Sequence, residues 1–321
     1  YFLSGPTASS HPGALFKIEF APHLFGYGDL HPWPELGDKS LDEQIRIIRS
    51  GETTDLYKKT VHYAELDSKA RSQTKSVFEG LQMPLSHYFL SSMQKLSGYL
   101  VEDIQNSGFN IIKMKVGLNT EEEIQAILRT AKSLRDLNVS LRLDFNGRLK
   151  LDEVRTFLDR LKIEGLEILD FVEDPCPFIL EDWKKIKQSF NVSLAWDQFA
   201  EKDWHSGLGE VCDVIVFKPS HQRQEDIIHM AQTEKLKIAV TTSLDHSLGI
   251  LSAHYEAGRL LKDHPNLLTT CGLVSHRDFI DDGFFSKIPS LVPRLSPTQL
   301  RLGPGFGFGE KLESLRWELL L

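Results

Sequence analysis

The sequence predicts an α/β fold: a TIM-like (β/α)7β barrel with an α+β capping domain formed by the N-terminal segment and the C-terminal tail. Two observations predict it. From residue 86 onward, apolar strand-like stretches alternate with helical patterns, as parallel βαβ units require. From the second stretch onward, each ends in a polar residue, at intervals of 29, 29, 24 and 21 residues from Lys115 to Lys218. Each interval is about one βα unit, so these residues return to one rim of a barrel, the C-terminal face where barrel enzymes do their chemistry.

The seven strand candidates are "HYFLSSM" (87–93), "FNIIKMKV" (109–116), "SLRLDFN" (140–146), "ILDFVED" (168–174), "VSLAWD" (192–197), "DVIVFKPS" (213–220) and "LKIAVTTS" (236–243). "LLTTCGLVS" (267–275) is an eighth. Between them, 121–137 places Ile124, Ile127, Leu128, Ala131 and Leu134 on one helical face, with Thr120 and Glu123 as a capping box. Residues 153–161 place Val154, Phe157, Leu158 and Leu161 the same way. The first 80 residues differ. "ALFKIEFA" (14–21) reads as a strand of an antiparallel meander and "FGYGDLHPWPELGD" (25–38) as a Gly/Pro/aromatic loop. Helices follow near 41–49 and 55–71, and the tail from residue 300 is turn-rich and then apolar. The cap is expected over 1–83 with 296–321, and the barrel over 84–295.

Composition narrows the class. The 321 residues are 41% hydrophobic and 26% charged, an ordinary globular balance whose core needs no disulfide staples. Net charge is −8, and no Lys/Arg run forms a phosphate-binding stripe, so nucleic acid is not an expected partner. Cys176, Cys212 and Cys271 are scattered and odd in number, which fits reduced thiols. No apolar run approaches the roughly 18 residues of a membrane span, and the first residues lack the pattern of a signal peptide. The expectation is a cytoplasmic protein, monomer or small homo-oligomer, acting on a small molecule.

The polar strand ends carry the chemistry. They are Lys113 and Lys115, Asp144, Glu173, Asp197, Lys218, and Thr241 to Ser243. Three carboxylates on one rim repel unless a divalent cation lies between them. All-oxygen ligation by Asp144, Glu173 and Asp197 suits Mg²⁺ first and Mn²⁺ second. Strand alternation sends Lys113 and Lys115 to the inner face and Met114 outward. Lys218 approaches from across the barrel. Crowded ammoniums disfavour charge and make a neutral amine base available. Singly, each residue has a bland reading: a strand-end cap, an Asn-Gly turn in "DFNG", a lysine that snorkels. The ordered set on five successive strands is what argues for a site.

That set resembles the enolase superfamily in its muconate lactonizing branch, whose pattern is K-x-K, D-x-N, E-[DEQ]-P, D-E and K. Here it reads "KMK", "DFN", "EDP", "DQ" and "FKPS", and the likeness spans roughly residues 85–275. "GYGDLHPWPELGD" (26–38) is similar to the family's cap loop that closes over substrate. Gln198 departs from the pattern, where an acid usually follows the third ligand. Within the branch the chain is most similar to the o-succinylbenzoate synthases of menaquinone biosynthesis. The cap is short, Arg142 precedes Asp144 by two, and "TTSLDHSLGI" (241–250) resembles their "SSSIESSLGL".

The resemblance implies a Mg²⁺-dependent dehydration of a cyclohexadiene carboxylate. Lys115 would act as base and Lys218 would stabilise an enediolate. Lys113 would hold the pKa of Lys115 down and contact the carboxylate. Arg142, Asn146, Thr242 and Ser243 would line the site. An N-acylamino acid racemase or dipeptide epimerase is the alternative on the same scaffold, though "TTCGLVSHRDF" (269–279) lacks the Asp-x-Asp of dipeptide epimerases. A Schiff-base lyase using Lys218 would leave the carboxylates unexplained. A non-catalytic binding protein would leave the whole polar set unexplained.

Overall fold

In the computed structural model, which describes residues 2–4, 10–91, 93–197, 207–279 and 281–320, a cap rests on a curled parallel sheet. The cap begins with two antiparallel pairs. These are β1 (Phe2–Ser4) with β2 (Ser10–Pro12), and β3 (Ala14–Ala21) with β4 (Leu24–Leu30). Helices α1 (Leu41–Arg49) and α2 (Asp55–Ser72) follow. The expected loop at 25–38 is therefore a strand over its first half. The glycines that suggest a loop serve close approach instead. A Cβ on Gly26 would lie 1.8 Å from the Ala64 carbonyl oxygen, and one on Gly28 would lie 2.4 Å from that of Thr60. Only glycine lets β4 lie this tightly on the backbone of α2.

Seven parallel strands run in chain order around the barrel. They are β5 (Tyr88–Leu90), β6 (Ile111–Lys115), β7 (Ser140–Asp144), β8 (Leu169–Glu173), β9 (Leu194–Trp196), β10 (Val214–Phe217) and β11 (Lys237–Val240). Helices α3 (Gly98–Asn106), α4 (Thr120–Asp136), α5 (Leu151–Leu161), α6 (Leu180–Phe190), α7 (Gln224–Glu234) and α8 (Ser247–Asp263) connect and cover them. The eighth segment closes the ring through isolated bridges. Leu268 and Gly272 pair with Ile238 and Thr241, while Cys271 pairs with Ser86 ahead of β5.

Strand alternation builds two cores. Outward residues such as Ile112, Met114, Leu141, Leu143, Val172 and Trp196 pack under the helices. Inward Phe171, Ala195, Val214, Val216 and Ala239 fill the barrel. The turn after β6 is fastened by one carboxylate. Glu123 accepts from the backbone N–H groups of Gly117, Leu118 and Asn119 at 2.7, 3.1 and 3.1 Å. The expected Thr120–Glu123 capping box does not form. Thr120 already lies inside the helix, and Asn119 is the N-cap.

The tail, with short helices α9 (Pro297–Leu300) and α10 (Gly309–Ser314), docks on α2. Buried Asp67 of α2 accepts from the N–H of Tyr27 at 3.0 Å, that of Phe306 at 2.6 Å and Arg71 Nε at 2.6 Å. Strand, helix and tail are thus joined through one side chain. Among the described residues, no helix is long and apolar enough to cross a membrane.

Candidate active site

The cap loop and the strand ends enclose a cavity of about 480 Å³. Lys113, Lys115, Asp144, Asn146, Asp197, Lys218, Thr242 and Ser243 all line it, as do Trp33, Glu35, Leu36 and Gly37 of the cap. Parallel register sets the order along the rim. Lys115 pairs with Asp144, Asp144 with Glu173, and Glu173 with Ala195, two residues before Asp197.

The lysines are not equivalent. Lys113 Nζ lies 2.6 Å from Glu173 Oε1 and 3.1 Å from Asp144 Oδ2. Lys218 Nζ lies 2.5 Å from Asp197 Oδ2. Lys115 is exposed to the cavity and has no hydrogen-bond or ion-pair partner among the described residues. Their proton affinities follow. Burial works against charge on Lys113, but Asp144, Glu173 and Asp197 overcome it and raise its pKa. Burial likewise opposes charge on Lys218, and Asp197 again raises it. Lys115 moves the other way. Burial lowers its pKa, Asp144 opposes this, and the Lys113 and Lys218 cations add to the lowering.

The acids are crowded. Burial and then the Asp144 charge raise Glu173 to about 8, against the pull of Lys113. Asp144 is held low despite burial, by Lys113 and Lys115, and its Oδ1 accepts from Asn146 Nδ2 at 2.7 Å. Glu173 Oε2 and Asp197 Oδ1 are buried with no hydrogen-bond partner among the described residues. A carboxylate oxygen can only accept, so a hard cation suits both. Among the described residues, however, no three acidic, His or Cys side chains stand together in coordinating geometry. Lys113 spans Asp144 and Glu173 in their place.

Two expected residues do not line the cavity. Arg142 faces inward but does not line the cavity; it is fully buried beneath it. Its guanidinium lies 4.3 Å over the Phe171 ring, with Nε 2.7 Å from Asp170 Oδ2 and one terminal nitrogen 2.7 Å from the Thr270 carbonyl oxygen. An inward cation at that depth is consumed by the barrel floor. Glu173 also stands behind the wall, screened by Lys113. Gln198 lies outside the described residues.

The sequence reading passed over several wall residues. Asp174, buried beside Glu173, accepts from the Asp197 N–H at 3.1 Å. His87 and Phe89 of the first strand segment also line the cavity, as does His221. His221 Nε2 lies 2.9 Å from Asp38 Oδ2, and Nδ1 lies 3.0 Å from Ser220 Oγ, which is itself 2.9 Å from Ser243 Oγ. This chain ties the cap loop to the rim. Asn146, Asp174 and Leu244, all on the wall, have φ of +49°, +43° and +58°. Backbone held in this region by non-glycine residues concentrates at functional sites.

Known proteins share both the fold and the sequence pattern. Residues 4–70 match the family described as "O-succinylbenzoate synthase, N-terminal domain", and residues 99–284 match "Enolase C-terminal domain-like". An o-succinylbenzoate synthase of Bdellovibrio bacteriovorus is 31% identical over 310 residues, covering 97% of this chain and 92% of that protein. The chain belongs to the enolase superfamily. Within the superfamily it is o-succinylbenzoate synthase-like. Solved enolase-superfamily structures agree on the fold. A mandelate racemase/muconate lactonizing protein from Herpetosiphon aurantiacus superposes with a TM-score of 0.74 at 14% identity, covering 96% of this chain and 95% of that one. A dipeptide epimerase from Enterococcus faecalis, complexed with Mg and a dipeptide, superposes with a TM-score of 0.71 at 16% identity, covering 93% and 92%.

Proposed function

We propose that this superfamily member is an o-succinylbenzoate synthase. It would dehydrate 2-succinyl-6-hydroxy-2,4-cyclohexadiene-1-carboxylate to o-succinylbenzoate in menaquinone biosynthesis, in the cytoplasm. The observation that carries the reading is the contrast between the lysines. Lys113 and Lys218 are held on carboxylates, whereas Lys115 is unheld among the described residues and has a lowered pKa. An amine in that state is a base.

Lys115 takes the proton α to the ring carboxylate and returns it to the departing hydroxyl on the same face. Water leaves and the ring becomes aromatic. Lys218, kept charged by Asp197, faces the developing enediolate from the opposite side of the barrel and stabilises it. Lys113, kept charged chiefly by Asp144, helps keep the Lys115 pKa down. Asn146 steadies Asp144, and Thr242 and Ser243 contribute hydroxyls to the wall. A divalent cation, Mg²⁺ first, held by Asp144, Glu173 and Asp197 would supply fixed positive charge for the substrate carboxylate.

A dipeptide epimerase on this scaffold would need a carboxylate for the substrate ammonium group. The eighth segment offers only Gly272, Val274 and Ser275 to the cavity. The deciding experiment follows the diene absorbance of the substrate with Mg²⁺ and with EDTA. Rapid loss in Mg²⁺ alone supports the reading. An unchanged spectrum, with deuterium entering the α position of acylamino acids or dipeptides, would replace it with the epimerase.

A further inference from the structure

His87 enters the site from the segment just before β5, the first barrel strand. Phe89 pairs with Lys113, so His87 lies one layer deeper on the inner face. Its Nδ1 is 3.0 Å from a terminal nitrogen of Arg142. A guanidinium only donates and stays charged. Nδ1 must therefore accept, and the proton of a neutral imidazole resides on Nε2. Protonating Nδ1 as well would press two cations together. Burial, Arg142 and Lys113 accordingly hold the His87 pKa well below the usual range.

The opposite edge of the ring is left open. A Cβ on Gly272 would come within 2.6 Å of His87 Cε1 and 2.7 Å of Nε2. Glycine leaves that edge uncovered, and both residues line the cavity. His87 Nε2 has no hydrogen-bond partner among the described residues, and it is not among the side-chain nitrogens sealed from solvent. An N–H donor of fixed tautomer thus stands at the deep end of the cavity with no acceptor among the described residues. It is held there by Arg142, which Asp170 and the Thr270 carbonyl fix in turn.

We infer that His87 is a substrate-recognising residue, an uncharged donor whose Nε2–H takes an acceptor oxygen, carbonyl or carboxylate, of the inner end of the substrate. The inference rests on the dehydratase reading for the identity of that substrate. A neutral donor selects an oxygen here and rejects an ammonium or a purely apolar group, because burying the N–H unpaired is unfavourable.

The test uses the full chain with ¹⁵N-labelled histidine, with o-succinylbenzoate and Mg²⁺ as the probe and calorimetry as an independent readout of binding. The His87 signals, assigned by their loss in His87→Gln, should show the Nε2–H tautomer between pH 6 and 8 and shift when the probe binds. In kinetics, His87→Leu should raise KM roughly ten- to hundredfold with kcat nearly unchanged, and His87→Gln, which keeps a donor, should recover most of the loss. Gly272→Ala, which covers the ring edge and leaves Arg142 alone, should raise KM in the same direction. An Nδ1–H tautomer overturns the inference. So does a His87 signal that stays still while calorimetry records binding, and the dehydratase reading then stands. Absence of any probe binding overturns both.

Discussion

Lys113 and Lys115 rise from one face of one strand, yet Lys113 is clamped 2.6 Å from Glu173 and Lys115 is held by nothing among the described residues. Asp144 above all keeps the Lys113 ammonium charged, and that charge adds to burial in lowering the pKa of its neighbour. The pair works as a fixed cation and a poised base. Lys115→Met should lower kcat by about 10²- to 10⁴-fold with the fold unchanged. The rate should rise with pH as Lys115 loses its proton and level off below the usual lysine range. Lys113→Met removes a cation and leaves two acids uncompensated, so Lys115 holds its proton longer and the rise moves to higher pH. A pH–rate profile identical to that of the native chain would refute this coupling.

The metal-free site should bind Mg²⁺ with release of protons. Glu173 is raised to about 8, so near neutral pH it retains a proton that a cation must displace. Affinity should therefore rise with pH and flatten above about 8, falling about tenfold per pH unit below it. Calorimetry in buffers of different ionisation enthalpy measures the released protons directly. Glu173→Gln should lose the pH dependence together with most of the affinity. EDTA should remove activity and Mg²⁺ restore it.

The cap loop is fastened to the rim through Asp38, which accepts from His221 Nε2 at 2.9 Å and from the Trp33 N–H at 2.8 Å. Trp33, Glu35, Leu36 and Gly37 of this loop cover the cavity. Asp38→Ala removes the contact with His221 on the rim together with the brace to Trp33 within the loop. KM should rise about tenfold while kcat changes far less, since the reacting groups stay on the barrel. Trp33 emission should shift to the red as the loop loosens. Unchanged KM and unchanged emission would mean that the loop is held elsewhere.

The parts of the site visible in the sequence were those governed by period two. Alternation alone sends Lys113, Lys115, Asp144 and Asp197 inward, and the βα spacing returns them to one rim. Alternation does not say how far along the barrel axis a side chain reaches. Arg142 is inward like its register partner Lys113, but its long side chain turns to Asp170 and the Thr270 carbonyl on the floor. Nor does a local pattern reveal partners that meet only in the fold. Asp38 and His221 stand 183 residues apart in the chain. The glycines of β4 misled for a related reason, since close approach to a helix and a turn both call for glycine. His87 lay inside a segment read as an ordinary strand, and its role follows from Arg142, a residue 55 positions away.

Glu256 of α8 gives a stability prediction remote from the strand-end acids. Its Oε1 lies 3.3 Å from the Tyr63 hydroxyl of α2, and its Oε2 is buried without a partner among the described residues. Burial raises its pKa from 4.5 to about 7. The unfolded chain releases this proton near 4.5, while the folded chain keeps it to about 7. Between those values the folded state binds more protons, so stability must fall as pH rises. The penalty is absent below about 4.5 and complete above about 7, where it reaches at most about 3 kcal/mol. Glu256→Gln keeps the shape and the contact with Tyr63 but removes the charge. It should therefore stabilise the protein by about 2–3 kcal/mol at pH 8 and change it little at pH 4.5. Urea denaturation at the two pH values measures the difference. Equal effects at both would show that Glu256 is not destabilised by ionising in the folded protein.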